Sequence, residues 1–305
     1  MVEVCPPTND KNHGKDDKET KWIDAWIRWE RDSKSVYDND SDGEGDGSDD
    51  DDSELAAPTD TFSFRYEYPG TDRGAVDIQI KGFHFESEQT WNSTGLTLWR
   101  SSEYLSDYFS EQWKDGSLFS KNRRFLELGS GLGHTGIHAM HSIQLSQLDE
   151  SRAEQDFFLC LTDGDTDVLQ RLRDNVSRNQ LPDDEHTNKL THSCSQLLWG
   201  RDQALEFLKR DYVNNEKFDV IFGSDLVYVT KVITPLFETV ATLLSKASDD
   251  SRFLMAHCSR RQGNEVKVDM VLDAAEALGL KHTVVKSRGD ISLIEFSWHH
   301  KELCS

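Results

Sequence analysis

The stretch Phe125-Leu126-Glu127-Leu128-Gly129-Ser130-Gly131-Leu132-Gly133 restricts the fold more than any other feature of this chain. It is a short apolar run, the right length for a buried strand, and it ends in three alternating glycines. Glycines there let the backbone take positive φ and come close to a ligand. A helix starting near His134 would then aim its N-terminal amides at that ligand. Downstream, the alternation of strand and helix repeats. Strands are expected at 124–128, 157–161, 190–194, 218–223 and 253–258. Helices are expected at 101–113, 134–145, 165–179, 203–212, 229–246 and 265–278. Two closing strands, 282–286 and 292–298, are joined by only residues 287–291. That link is too short for a crossover helix, so these strands should be antiparallel neighbours. The expected fold is α/β: a doubly wound, mostly parallel seven-stranded sheet with a C-terminal antiparallel strand. Before it, residues 61–85 alternate with period two. Phe62, Phe64, Tyr66 and Tyr68 share one face, a turn falls at 69–74, and Val76, Ile78 and Ile80 resume the pattern. This reads as an N-terminal β-hairpin extension.

Residues 1–60 differ in kind. The run 38–54 holds ten acidic residues and no basic one; removing those ten charges from the net −22 leaves −12. Such a run repels itself and buries nothing, so it is expected to be a disordered tether or a docking tail for a basic partner. Trp22, Trp26 and Trp29 recur at one face of a short helix near 20–31. The domain reading is therefore a mostly disordered acidic region over 1–60, followed by a single α/β domain over 61–305. An acidic chain lacks the electrostatic footprint of a nucleic-acid binder. The five scattered cysteines form no CxxC pair, so neither a disulfide framework nor a zinc site is expected. Cys160, Cys194 and Cys258 read as buried thiols. With no apolar leader and no stretch of membrane-spanning length, the expected location is cytoplasmic or nuclear.

Three further constellations carry chemistry. Asp163 closes the second strand, where a carboxylate can accept both ribose hydroxyls of a nucleoside. The competing reading is that it caps the following helix, a role Asp165 and Thr166 also suit. Gly223-Ser224-Asp225-Leu226-Val227-Tyr228 follows the central strand, at the edge where open α/β sheets place reacting groups. An acid and a phenol three residues apart could orient an amine there. Trp99 precedes the first helix, and Trp199 follows the third strand; each alone reads first as packing. The glycine turn itself also spells GxGxxG from Gly131 to Gly136, the weak dinucleotide pattern.

Taken in order and spacing, these residues resemble methyltransferase family 16, the seven-strand protein-lysine methyltransferases with a Rossmann-like sheet. The resemblance covers roughly 80–300. It rests on Gly95, Leu98-Trp99 and Ser102, then Leu126-Glu127-Leu128-Gly129-Ser130-Gly131. It continues through Leu161-Thr162-Asp163-Gly164, Leu172, Asn175, Asn179, Leu198-Trp199-Gly200 and Ser224-Asp225-Leu226-Val227-Tyr228. It implies S-adenosylmethionine as cofactor, contacted by Trp99, Glu127, Gly129, Ser130, Gly131, Asp163, Trp199 and Ser224. It makes Asp225 and Tyr228 the DxxY pair beside the target lysine. Arg100 departs from the pattern, since many members have proline after the tryptophan. The implied activity is methyl transfer to a lysine of a protein substrate, by a monomer, without nucleic acid or membrane. A histidine or small-molecule amine as acceptor, or a non-catalytic scaffold of the same fold, are the alternatives. An NAD-dependent oxidoreductase stands third.

Overall fold

The computed structural model describes residues 60–84, 94–115, 118–119, 122–146, 156–181, 190–259 and 266–299. The acidic run 38–54 and the tryptophan helix near 20–31 lie outside them.

The hairpin is formed by β1 (Asp60–Tyr68) and β2 (Gly74–Gly82), paired antiparallel from Asp60↔Gly82 to Tyr68↔Gly74. Period-two alternation puts Tyr66, Tyr68, Val76, Ile78 and Ile80 on its buried face, with Phe62 and Phe64 half-buried. There follow α1 (Arg100–Asp115), β3 (Arg124–Glu127), α2 (His134–Ser146) and β4 (Phe157–Asp163). Next come α3 (Thr166–Arg178), β5 (Leu190–Gln196), α4 (Arg201–Leu208) and β6 (Val220–Ser224). The chain continues as α5 (Ile233–Leu243), β7 (Arg252–Cys258), α6 (Val268–Ala277), β8 (Leu280–Arg288) and β9 (Ile291–Trp298).

The main sheet runs β5-β4-β3-β6-β7-β9-β8. The pairs from β5 to β7 are parallel, and β9 lies antiparallel between β7 and β8. The chain order reverses beside β3, whose neighbours are β4 and β6. This is the switch point where such sheets open a crevice beyond their strand ends. Helices on both faces leave two cores, one holding Phe109, Phe125 and Ile137, the other Phe218, Phe237 and Phe296.

Most element readings hold, with edges corrected by backbone geometry. The helix read over 203–212 is Arg201–Leu208: its last turn tightens, with Lys209 N donating to Glu206 O and Arg210 N to Phe207 O, and the chain then turns through Asn214 and Asn215, both at left-handed φ. The helix read from 229 starts at Ile233, after a 3-10 turn over Thr230–Val232, with Pro235 in its first turn where no N–H is needed. It stops at Leu243, because Leu244 takes extended φ and ψ and bridges to Phe218. Gly279, at φ 84°, ends α6 as read. Of the three thiols read as buried, Cys160 is buried and Cys194 and Cys258 are half-buried.

The hairpin is bolted to the sheet through α3. Asn179 Nδ2 donates to Gln79 O (2.9 Å), and its Oδ1 accepts from Gln79 N (2.8 Å). One turn earlier Asn175 Oδ1 accepts from Lys81 N (3.0 Å), while its Nδ2 donates to Lys81 O (3.1 Å) and Leu132 O (3.0 Å). Residues four apart share a helix face, so two asparagines there can serve alternate residues of a strand edge.

Candidate active site

Three strand ends converge beyond the switch point. From β3 comes the glycine turn, with φ of 56° at Gly129, 52° at Gly131 and 85° at Gly133. A side chain at Gly131 would stand 3.0 Å from the carbonyl oxygen of Gly95, so glycine is needed both for conformation and for closeness. Ser130 N donates to Thr162 O (2.8 Å), and Gly133 N donates to Ser130 O (2.8 Å).

Asp163 ends β4. Its Oδ2 accepts from Gly131 N (2.9 Å) and its Oδ1 from Asp165 N (3.1 Å). The helix cap is Asp165 instead, accepting from Asp167 N and Val168 N. The capping reading of Asp163 is thereby replaced by a role in shaping the glycine turn. A carboxylate offers about four lone-pair sites, so two remain for a ligand. Burial pushes its carboxyl up to about 6, and Asp165 adds to the shift.

Glu127 closes β3 and is 3% exposed. Burial, then the nearby Asp163 charge, pushes its carboxyl up to about 8. The Ser130 hydroxyl and the Gly136 N–H face this carboxyl and pull it partly back down, yet Glu127 Oε2 and Ser130 Oγ complete no hydrogen bond of good geometry among the described residues. Buried polar groups are rarely left this way unless something else meets them.

From β6 comes Ser224, followed by Asp225 at φ 53°. A left-handed φ outside glycine is strained, and the surrounding structure holds it here: Asp225 N donates to Ala256 O of β7 (2.9 Å). The strain turns the chain sharply, so Asp225 and Tyr228 both face the crevice instead of continuing the strand.

All ten residues singled out from the sequence line one cavity of about 380 Å3. They are Trp99, Glu127, Gly129, Ser130, Gly131, Asp163, Trp199, Ser224, Asp225 and Tyr228. Trp99 is anchored by Nε1 donating to Thr94 O (2.9 Å). The backbone near Trp199 is fixed by Gly200 N donating to Thr239 Oγ1 (2.7 Å). The volume lies in the range of small-molecule sites, and the lining mixes aromatic faces with a few carboxylates.

Sequence reasoning missed other wall residues, among them Thr97, His134, Thr135, Val168, Leu197 and Lys231. Only His134 carried a signal. An ionisable side chain as the first residue of a fully buried helix needs a partner, and the sequence does not show which.

A family model described as lysine methyltransferase matches residues 82–273. The protein-lysine N-methyltransferase EFM3 of Chaetomium thermophilum is 28% identical over 153 residues. That match covers 50% of this chain and 39% of the relative, so the chain spans about two fifths of that protein's length. Similar solved structures include the Bacillus cereus O-methyltransferase in complex with SAH, at TM-score 0.39 and 15% identity. That match covers 65% of this chain and 80% of the other. Another is the T. thermophilus 16S rRNA N2 G1207 methyltransferase in complex with AdoMet and guanosine, at TM-score 0.43 and 12% identity. It covers 79% of this chain and 52% of the other.

Proposed function

The chain belongs to the lysine methyltransferase family, and on that premise we propose that it methylates a lysine side chain of a protein substrate, using S-adenosylmethionine. The observation carrying this reading is that the glycine turn, Asp163 and the Asp225–Tyr228 pair, from three separate strands, line one cavity.

The residues present fit that cofactor. Asp163 keeps lone pairs for ribose hydroxyls, two buried polar atoms at Glu127 and Ser130 lack good partners, and the turn admits no side chain at Gly131. Trp99, Glu127, Gly129, Ser130, Gly131, Asp163, Trp199 and Ser224 would hold it. When bound, S-adenosylmethionine supplies an electrophilic methyl group on a cationic sulfur. Half-buried Asp225 and Tyr228 then have a positioning task. A free lysine amine has a pKa of about 10.4 and must lose its proton before its lone pair can attack. A neighbouring cation favours that loss, because two positive charges in one partly dry pocket repel. Asp225 and Tyr228 would hold the neutral amine in line, with the strained turn at Asp225 fixing the carboxylate's direction. A carboxylate also stabilises the ammonium form, so Asp225 is assigned only the orienting role; the amine's proton leaves to water before transfer, with S-adenosylhomocysteine as the leaving group.

The relative's printed activity on protein lysine favours a protein acceptor over a free amine. The net charge of −22 fits a partner that is not nucleic acid. No helix among the described residues is long and apolar enough to cross a membrane. We take the protein to act as a monomer in the cytoplasm or nucleus.

The test combines full-length protein, labelled S-adenosylmethionine and a hypomethylated lysate. A labelled protein band is expected, falling about a hundredfold with Asp225→Ala. A band that survives the substitution removes Asp225 from the mechanism. Label found on histidine would favour the histidine alternative. No band, with no thermal stabilisation by S-adenosylhomocysteine, would favour a non-catalytic scaffold.

A further inference from the structure

His134 is 2% exposed, yet both ring nitrogens face hydroxyl groups. Nε2 lies 2.8 Å from the Tyr66 hydroxyl on the hairpin, and Nδ1 lies 3.0 Å from Ser102 Oγ on α1. The proton order along this chain can be deduced. Ser102 Oγ lies 2.7 Å from the carbonyl oxygen of Trp99, and a carbonyl only accepts, so the serine proton is committed there. Ser102 must then accept from His134 Nδ1–H. That leaves Nε2 as the acceptor for the Tyr66 O–H. The tautomer is set by its partners, and the chain has one direction: Tyr66 to His134 to Ser102 to Trp99.

The geometry points to His134 as a positioning residue that couples the N-terminal hairpin to the cofactor wall at Trp99. It acts through Ser102 and takes its orientation from Tyr66. This rests on the cofactor reading above and adds the hairpin to the machinery of that site.

Independent contacts reinforce the coupling. The Phe64 ring stacks on His134 at 3.9 Å between centroids, and Tyr66 stacks on His138 at 3.7 Å. Thr135 Oγ1 donates to Ser102 O (3.2 Å), tying the start of α2 to α1 a second time. At the other strand, Asn175 holds Lys81 O and Leu132 O with the same amide group, so β2 and the glycine turn share one clamp. The hairpin therefore touches the cavity's structure from both of its strands. Hydrogen bonds within a water-excluded seam are directional and depend on one another, so loss at one end is felt at the other. Binding at the cavity should order the hairpin, and loosening the hairpin should weaken binding.

The test uses the full chain and S-adenosylhomocysteine as probe. Wild-type binding, read by calorimetry, checks the underlying cofactor reading separately; its absence would refute that reading first. Given binding, the probe is expected to slow amide exchange in residues 60–68, which do not line the cavity. Tyr66→Phe keeps the ring and removes the hydroxyl, leaving Nε2 buried without a donor. It should weaken the probe by about tenfold. Ser102→Ala should speed exchange in residues 60–68, although it alters nothing on the hairpin. His134→Asn places an amide donor where Nδ1–H stands and should restore more of the affinity than His134→Ala. Wild-type protein that binds the probe with unchanged exchange in 60–68 would overturn the proposal, and needs no variant. So would unchanged affinity in folded Tyr66→Phe.

Discussion

Replacing Asn175 tests whether the hairpin is held by hydrogen bonds or merely by its apolar face. Asn175 is fully buried and serves three backbone groups: Lys81 N, Lys81 O and Leu132 O. Asn175→Ala leaves all three without the amide. The Leu132 carbonyl is the buried one, and its lost bond should cost about 1–3 kcal/mol. The two Lys81 groups are half-buried, so water replaces part of what they lose, and each should cost about 0.5–1 kcal/mol. Alanine's better helix propensity offsets about 0.5 kcal/mol. The net is a loss of about 1.5–4.5 kcal/mol. For a folded unit of this size it should lower Tm by about 3–18 °C at about 2–4 °C per kcal/mol. Circular dichroism melting reads the shift, and limited proteolysis should cut first within 60–84. Asn175→Asp gives a sharper ranking. It keeps an acceptor for Lys81 N but turns a buried carboxylate toward the two carbonyls, so it should be less stable than alanine at neutral pH. A Tm change below about 2 °C for alanine, or aspartate more stable than alanine, would refute the clamp.

Gly136→Ala should destabilise by about 1–3 kcal/mol in chemical denaturation even though alanine favours helix. The reason is that a methyl there collides with the Glu127 carboxylate and with Leu161. Stability equal to wild type would show that this contact yields freely. Asp225→Gly and Asp225→Ala should both lose methyl transfer. Glycine should be the more stable by about 1 kcal/mol because it accepts the left-handed φ of 53° without strain. The reverse order in urea melts would argue against strain. The pH profile follows from three histidines on α2. Burial lowers His134 to about 3 and His141 to about 4, and His138 falls through burial and then its two histidine neighbours. Between their folded and unfolded values the unfolded chain holds more protons, so stability should fall as pH drops from about 6.5 toward 4. Glu127 at about 8 and Asp163 at about 6 act oppositely, since the native carboxyls keep protons that the unfolded chain has released. Their contribution weakens as pH rises from about 4.5 through 8, which places the stability maximum between about pH 6 and 7. Denaturant midpoints unchanged between pH 7 and 5 would contradict this balance.

The sequence by itself determined what depends on neighbours along the chain. Period-two alternation fixed the hairpin, because successive side chains in a strand point to opposite faces. Alternating glycines fixed the turn after β3, because only glycine takes positive φ freely at that density. The short link before β9 fixed an antiparallel end to the sheet. Spacing and order also brought forward ten residues that line one cavity. What tertiary structure decided is everything that depends on strand order. Pairing of β3 with β4 brings Gly131 against Asp163, 32 positions away, so that a carboxylate also open to a capping reading holds the turn, and the reversal beside β3 brings Ser224 and Asp225 at the end of β6 to the same crevice. His134 meets Tyr66 across 68 residues, and Asn175 reaches Lys81 across 94. No local pattern encodes such pairs, since a polar side chain states what it can bond and the fold states with whom. The glycine turn was legible from the first; that the hairpin stands behind it, joined through one histidine, became visible only once the chain was folded.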